Sequence, residues 1–391
     1  MRRWLAELSL AALLASCATV EPPSGPPLPP DLARRPDGRA ALSWPANLDE
    51  QEIRQRISRL LPTGVKDGSG WAQDLYLAYT ALRIPHAAET YCATMAIVEQ
   101  ESGFQADPVV QGLPAIVRKE LDRRAEKYGV PKLLISGAML MKSPDGRSYD
   151  QRIDALKTEK QLDALYNDMI GELPFGRQLL ADYNPVHTAG PMQVSIAFAE
   201  QHVKEKPYPY PIAKRLRDEV FTRRGGLYFG AAILLDYPAP YDSIVYRFAD
   251  FNAGRYAGRN AAFQAALARH MGKSVALDGD LLRYDHGEAT DTPSQVETLL
   301  RSIGGDLRMS DREIRRDLLL EKTADFGRTT LNERLFALAE STAGKPLPRQ
   351  AMPGINLKSP KIQRKLTTEW FAHRVEERYR KCLARADTAS P

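Results

Sequence analysis

Beyond residue 46, apolar side chains recur three and four residues apart almost everywhere, and alternating β-branched runs are short and few. Ile53, Ile57, Leu60 and Leu61 make one such stripe, and Tyr91, Met95, Val98 and Ser102 another. Val117, Leu121, Ala125 and Tyr128 make a third, and Leu162, Leu165 and Met169 a fourth. A chain with this period buries its apolar surface by packing helix on helix. The spacing therefore predicts an all-α fold with at most a small hairpin. Thr292 with Gln295, Ser310 with Glu313 and Thr330 with Glu333 read as capping boxes, with Pro293 at the first helical position of the first. A long last helix is expected to start near Ser359 and Pro360, with Ile362, Leu366 and Trp370 on one face.

Composition narrows the partners. The chain has 391 residues and balances 54 Lys+Arg against 49 Asp+Glu, without a clustered basic excess, so no nucleic-acid partner is expected. A 43% hydrophobic content excludes a disordered chain. The three cysteines lack CxxC spacing and the histidines form no HExxH pair. Asp278-Gly279-Asp280 starts like a calcium loop, but Leu282 and Ala289 hold its fifth and twelfth positions. No metal and no cofactor is expected.

At the start, Arg2 and Arg3 precede an apolar stretch too short to span a membrane, which predicts a secretory signal. Its end, Leu14-Ala15-Ser16-Cys17, resembles the lipobox of bacterial lipoproteins. That resemblance implies removal of residues 1–16 and lipidation of Cys17. Ala18, where Asp would favour the inner membrane, implies anchoring to the outer membrane from the periplasm. Residues 17–45 then read as a lipidated Cys and a Pro-rich tether, with prolines at 22, 23, 26, 27, 29, 30, 36 and 45 favouring extended polyproline II. Cys92 and Cys382 remain, and an even remainder in an oxidising compartment predicts one disulfide.

The segment Tyr91 to Phe104 carries the chemistry. Gly103 stops the helix and leaves Glu101 in its last turn, beside the buried stripe. The negative helix end and partial burial both disfavour a charged carboxylate there, as a general acid requires. Glu101-Ser102-x-Phe104 resembles the first motif of the lytic transglycosylases, which have a lysozyme-like fold. Gly190-Pro191-Met192-Gln193-Val194, the apolar stretch Leu227 to Leu235 with its Gly230, and Ala249-Asp250-Phe251-Asn252-Ala253-Gly254 resemble the next three, in the same order. The whole architecture also resembles a group of uncharacterised proteobacterial lipoproteins that carry this domain.

The resemblance implies a peptidoglycan lytic transglycosylase acting on glycan strands. Glu101 would be the catalytic acid and then base, with Ser102, Met192, Gln193, Phe251 and Asn252 binding substrate. Pro191 is expected to open a helix through Met192, Val194 and Phe198, and Asn252 to Gly254 to form a turn. The organisation expected is a lysozyme-like domain at 46–275, interrupted by a helical insertion at 109–183, and a helical C-terminal region at 276–391. The insertion would wall the cleft or block it. Phe251 stands where the family has Tyr. Asp107 and Asp250 are candidates for a second carboxylate, which would make the protein a hydrolytic muramidase. A third reading is a non-catalytic peptidoglycan-binding lipoprotein.

Overall fold

A computed structural model describes residues 27–41, 43–285, 287–357 and 366–388, so Cys17 and Ile362 lie outside the described residues. The chain is all-α: eighteen helices, with three two-stranded antiparallel pairs, among those residues.

Helix α1 (Glu50–Leu60) opens on a capping box between Asp49 and Glu52 and turns Ile53, Ile57 and Leu60 inward. It packs on α2 (Gly68–Leu82) and α3 (Ala88–Glu101). Every residue of α3 from Ala88 to Val98 is buried, so this is a central helix rather than an amphipathic one. The insertion then builds α4 (Leu113–Tyr128), α5 (Lys132–Leu140), α6 (Tyr149–Asp154), α7 (Glu159–Gly171) and α8 (Gly176–Leu180). The chain returns through a hairpin, β1 (Thr188–Ala189) with β2 (Val194–Ser195). Helices α9 (Ile196–Glu205), α10 (Leu216–Val220), α11 (Arg223–Leu235) and α12 (Ile244–Ala253) complete the first core.

A second core forms from α13 (Ala257–Met271), α14 (Gln295–Ser302), α15 (Gly304–Leu307), α16 (Asp311–Leu318) and α17 (Thr330–Ala343). A small hairpin, β3 (Tyr284–Asp285) with β4 (Glu288–Ala289), lies on its edge. Strand β5 (Asn356–Leu357) pairs with β6 (Leu366–Thr367), and α18 (Thr368–Thr388) follows.

The two cores divide the chain differently from the boundary at 275. Helix α13 belongs with the C-terminal helices through Phe263 and Leu267. The last helix belongs to the first core, where Phe371, Val375, Tyr379 and Cys382 pack between α3 and α12. A disulfide joins Cys92 of α3 to Cys382 of α18, closing a separation of 290 residues.

Local expectations shift as well. Helix α18 begins at Thr368, because Leu366 is drawn into β6 by pairing with Leu357. The cap of α14 is Ser294, which accepts from the Glu297 N–H, so Pro293 lies ahead of the helix. Helix α17 is capped by Thr329 rather than Thr330. Ser310 and Glu313 do form a capping box on α16.

The described part of the supposed tether packs onto the fold rather than standing off as a spacer. Residues 30–32 make a 3-10 turn that buries Leu32 and Asp31. Asp31 pairs with Arg247 of α12, both without exposed side-chain surface. Arg35 bonds buried Glu89 at 2.6 Å and Asp387 of α18 at 2.6 Å, and Arg39 also reaches Asp387. The Trp44 N–H donates to the His86 carbonyl and its ring stacks on Tyr91. Polyproline geometry is a local preference, and these tertiary contacts decide where the segment lies.

Candidate functional site

Helix α3 delivers Glu101 at its last position. Ser102 closes the helix by sending both its N–H (3.0 Å) and its hydroxyl (2.9 Å) to the Val98 carbonyl. Gly103 and Phe104 then both take positive φ, 57° and 62°. This double left-handed step turns the chain sharply, and the buried Phe104 ring that secures it meets Trp71 edge-on at 5.2 Å. Glu101 is left half-exposed at the helix end, while the Ser102 hydroxyl is buried and bonded to the backbone. The Ser102 side chain is thus a helix cap, which corrects its expected role against substrate.

Beside this helix end runs α18. Its Arg378 lies 3.8 Å from Glu99 and is attracted by the charges of Glu99 and Glu101. Burial pulls the pKa of Arg378 down, and the carboxylates of Glu99, Glu377 and Glu101 oppose that. A neighbouring cation stabilises a carboxylate, which is the opposite influence from that of the helix end.

The second motif is a hairpin turn, not a helix start. Strands β1 and β2 pair Ala189 with Val194, and Gly190 to Gln193 make the turn between them. Gly190 has φ 75°, and a Cβ there would sit 2.2 Å from the Val220 carbonyl oxygen, so only glycine fits. Helix α9 starts afterwards, capped by Ser195. Met192 is fully buried against α11: a Cβ on Gly230 would lie 2.2 Å from its sulfur. That burial corrects the expected sugar contact of Met192, which is a core residue. Gln193 is half-exposed with φ 50°, unusual for a non-glycine. Its amide oxygen accepts from the Thr188 hydroxyl at 3.1 Å, and its amide nitrogen donates to the Gly190 carbonyl at 3.3 Å.

The last motif ends α12. Asn252 lies in the final helical turn, exposed, and its amide oxygen accepts from the Thr368 hydroxyl of α18 at 2.9 Å. Phe251 is half-buried against the first core. Asp250 is buried and receives four donors: Tyr237 (2.9 Å), Tyr241 (2.7 Å), and the N–H groups of Tyr256 (2.7 Å) and Gly258 (2.8 Å). Burial pushes its carboxyl up to about 6. It is a bracket fixing the turn from α12 to α13. Asp107 accepts from Thr158 of the insertion at 3.0 Å, and partial burial raises its carboxyl.

Helix α11 packs against α3, β2 and α12, so the elements that carry the motifs share one neighbouring helix. The insertion stands beside this hub. The apolar faces of α4 and α7 enclose a groove of about 520 Å³, lined by Leu113, Val117, Leu121 and Leu162, with His187 and Thr188 at one end. Thr188 is also the partner of Gln193. Among the described residues, no group of three or more His, Cys, Asp or Glu could hold a metal ion.

Sequence reasoning missed Arg378 and Thr368, which α18 brings to Glu99 and Asn252. The one signal for them was the cysteine pair that ties α18 to α3.

A family model described as "Protein of unknown function (DUF1615)" matches residues 64–385. "Uncharacterized protein YaiW" of Escherichia coli (strain K12) is 48% identical over 332 residues, covering 85% of this chain and 90% of that protein. No solved structure matches the chain. A family match across most of the chain, joined to this identity over nearly the whole relative, means that the chain belongs to the DUF1615 family of proteins of unknown function.

Proposed function

We propose that this protein is a peptidoglycan lytic transglycosylase, a carbon–oxygen lyase of lysozyme-like fold. It would cleave the β-1,4 bond between N-acetylmuramic acid and N-acetylglucosamine in glycan strands. The observation that carries this reading is that the elements bearing the other three motif-like segments, α3, β2 and α12, all pack against α11, with Glu101 half-exposed at the end of the largely buried α3. Glu101 protonates the leaving oxygen. The same carboxylate then takes the proton of the muramyl 6-hydroxyl as that oxygen closes a 1,6-anhydro ring. An intramolecular attack of this kind benefits from a high effective molarity and needs no second carboxylate. Both candidates for such a group are bonded elsewhere, Asp250 in its four-donor bracket and Asp107 to Thr158, which weighs against the hydrolytic muramidase reading. Gln193, in a left-handed conformation of the sort that collects at ligand sites, and exposed Asn252 would contact the sugars. The reading includes attachment to the outer membrane, on its periplasmic side, through a lipid on Cys17.

The test is digestion of purified cell walls followed by mass spectrometry. The expected products carry 1,6-anhydro ends, and Glu101→Gln abolishes them. Ends heavier by one water would replace the lyase with a muramidase.

One observation favours a second reading. The Asn252 amide oxygen is held by Thr368, and both ends of the Gln193 amide are used within its own turn. A site with its polar groups satisfied in this way suits a non-catalytic peptidoglycan-binding lipoprotein. Co-sedimentation with insoluble peptidoglycan, without product release, would select it.

A further inference from the structure

Helix α5 is apolar apart from Lys132 and Ser136, yet only one stripe of it is covered. Ile135 and Met139 turn towards the insertion. Leu133 (83% exposed), Leu134 (65%) and Leu140 (71%) point away, with Gly137 and Ala138 between them. At 100° per residue these five positions span an arc of roughly 160°. Met141, 58% exposed, extends the face past the helix end, and Tyr128 and Val130 precede it in the approach from α4. A contiguous exposed apolar face of this kind marks an interaction surface.

Charge indicates the partner. Residues 127–144 contain Lys127, Lys132 and Lys142 and no Asp or Glu, and all three lysines are exposed. Lys132 and Lys142 bracket the helix. Such an arrangement lets apolar side chains sink below a layer of anionic headgroups while the ammonium groups remain among them. With nine residues, α5 is about 13 Å long, far short of the roughly 20 residues needed to cross a bilayer. It would therefore lie in the interface rather than span it. A symmetric contact with a second copy would set three lysines against three lysines, which counts against self-association.

We infer that α5 and its approach form a membrane-contact element that inserts its leucine face into the headgroup region of an anionic phospholipid surface. This surface is separate from Glu101 and its neighbours, so the inference stands independently of the catalytic reading.

The experiment uses the full chain with Cys17→Ser, which removes any acyl anchor, and vesicles of phosphatidylethanolamine with phosphatidylglycerol. Leu134→Trp introduces a reporter on the face, and Leu319→Trp places a control on an exposed site of the second core. Addition of vesicles should blue-shift the emission gained by Leu134→Trp and leave that of Leu319→Trp unchanged. Pure phosphatidylcholine vesicles or high salt should reduce the shift. Leu133→Gln with Leu140→Gln should weaken flotation with the anionic vesicles by about tenfold or more, while circular dichroism and the Cys92–Cys382 bond remain as before. An unshifted Leu134→Trp signal, or an equal shift at both sites, overturns the inference. So does a dimer seen by sedimentation velocity that the two glutamine substitutions dissolve, since the face would then serve a protein contact.

Discussion

Asp31 and Arg247 lie 216 residues apart and form a two-pronged ion pair, at 2.5 and 3.1 Å, from which solvent is excluded. Arg247 Nη1 donates to the carbonyls of Leu234 (3.0 Å) and Tyr237 (3.2 Å). The guanidinium thereby ties a proline-rich segment to the end of α11 and to α12. Removing one partner strands a buried charge. Asp31→Ala should cost about 3–5 kcal/mol, read as a lowered urea midpoint and melting temperature. A midpoint unchanged by the substitution would show that residues 27–45 do not pack as described.

The Cys92–Cys382 bond holds α18 against α3. Closing so long a loop stabilises a fold by about 5–6 kcal/mol in the chain-entropy account. Cys92→Ser with Cys382→Ser, or reduction, should lower the melting temperature. Amide exchange should rise first in α18, where only one apolar stripe faces the core. Equal exchange in the oxidised and reduced proteins would contradict this.

Gly230 and Met192 exchange volume across the α11–hairpin contact. Gly230→Ala should overpack it, costing about 1–3 kcal/mol, and should disturb the adjacent Gln193 turn. Adding Met192→Ala should recover part of the loss, because the new methyl then finds room. A double-mutant cycle by thermal melting measures the coupling, and strict additivity would argue against the contact.

Two buried carboxyls give a dependence on pH. Burial raises Asp250 to about 6 and Glu321 to about 7. Each folded-state pKa exceeds its unfolded value, so the folded protein holds more protons between roughly pH 4 and 7. Their contribution to stability is fully present below about pH 4 and lost as pH rises through 6 and 7. Glu321→Gln should therefore flatten the decline in melting temperature between pH 5 and 7.5, relative to the unsubstituted chain. An identical decline in both proteins would be inconsistent with the burial of Glu321.

What could be read from the sequence was what depends on neighbours along the chain. The end of α3 at Glu101 was legible because the apolar stripe and Gly103 both lie within one helix. The Ser310 cap was legible for the same reason. The hairpin at Gly190 to Gln193 was not, because a proline followed by apolar residues also suits a helix start. Met192 was misjudged because its burial depends on Gly230, a residue on another helix. The supposed tether was misjudged because its partner Arg247 lies two hundred residues away. The return of α18 to the first core was legible only through a cysteine pair, which says where the helix goes but not which of its residues, such as Thr368 against Asn252 and Arg385 against the Leu60 carbonyl, make the bonds.

The pairing of Arg35 and Arg39 with Asp387 has a mechanical consequence. Residues 35–39 and the last turns of α18 sit on one patch, held there by ion pairs and, elsewhere on α18, by a disulfide. A force entering the chain at Arg35 would therefore pass through Asp387 into α18 and, through the disulfide, into α3, without crossing the insertion or the second core.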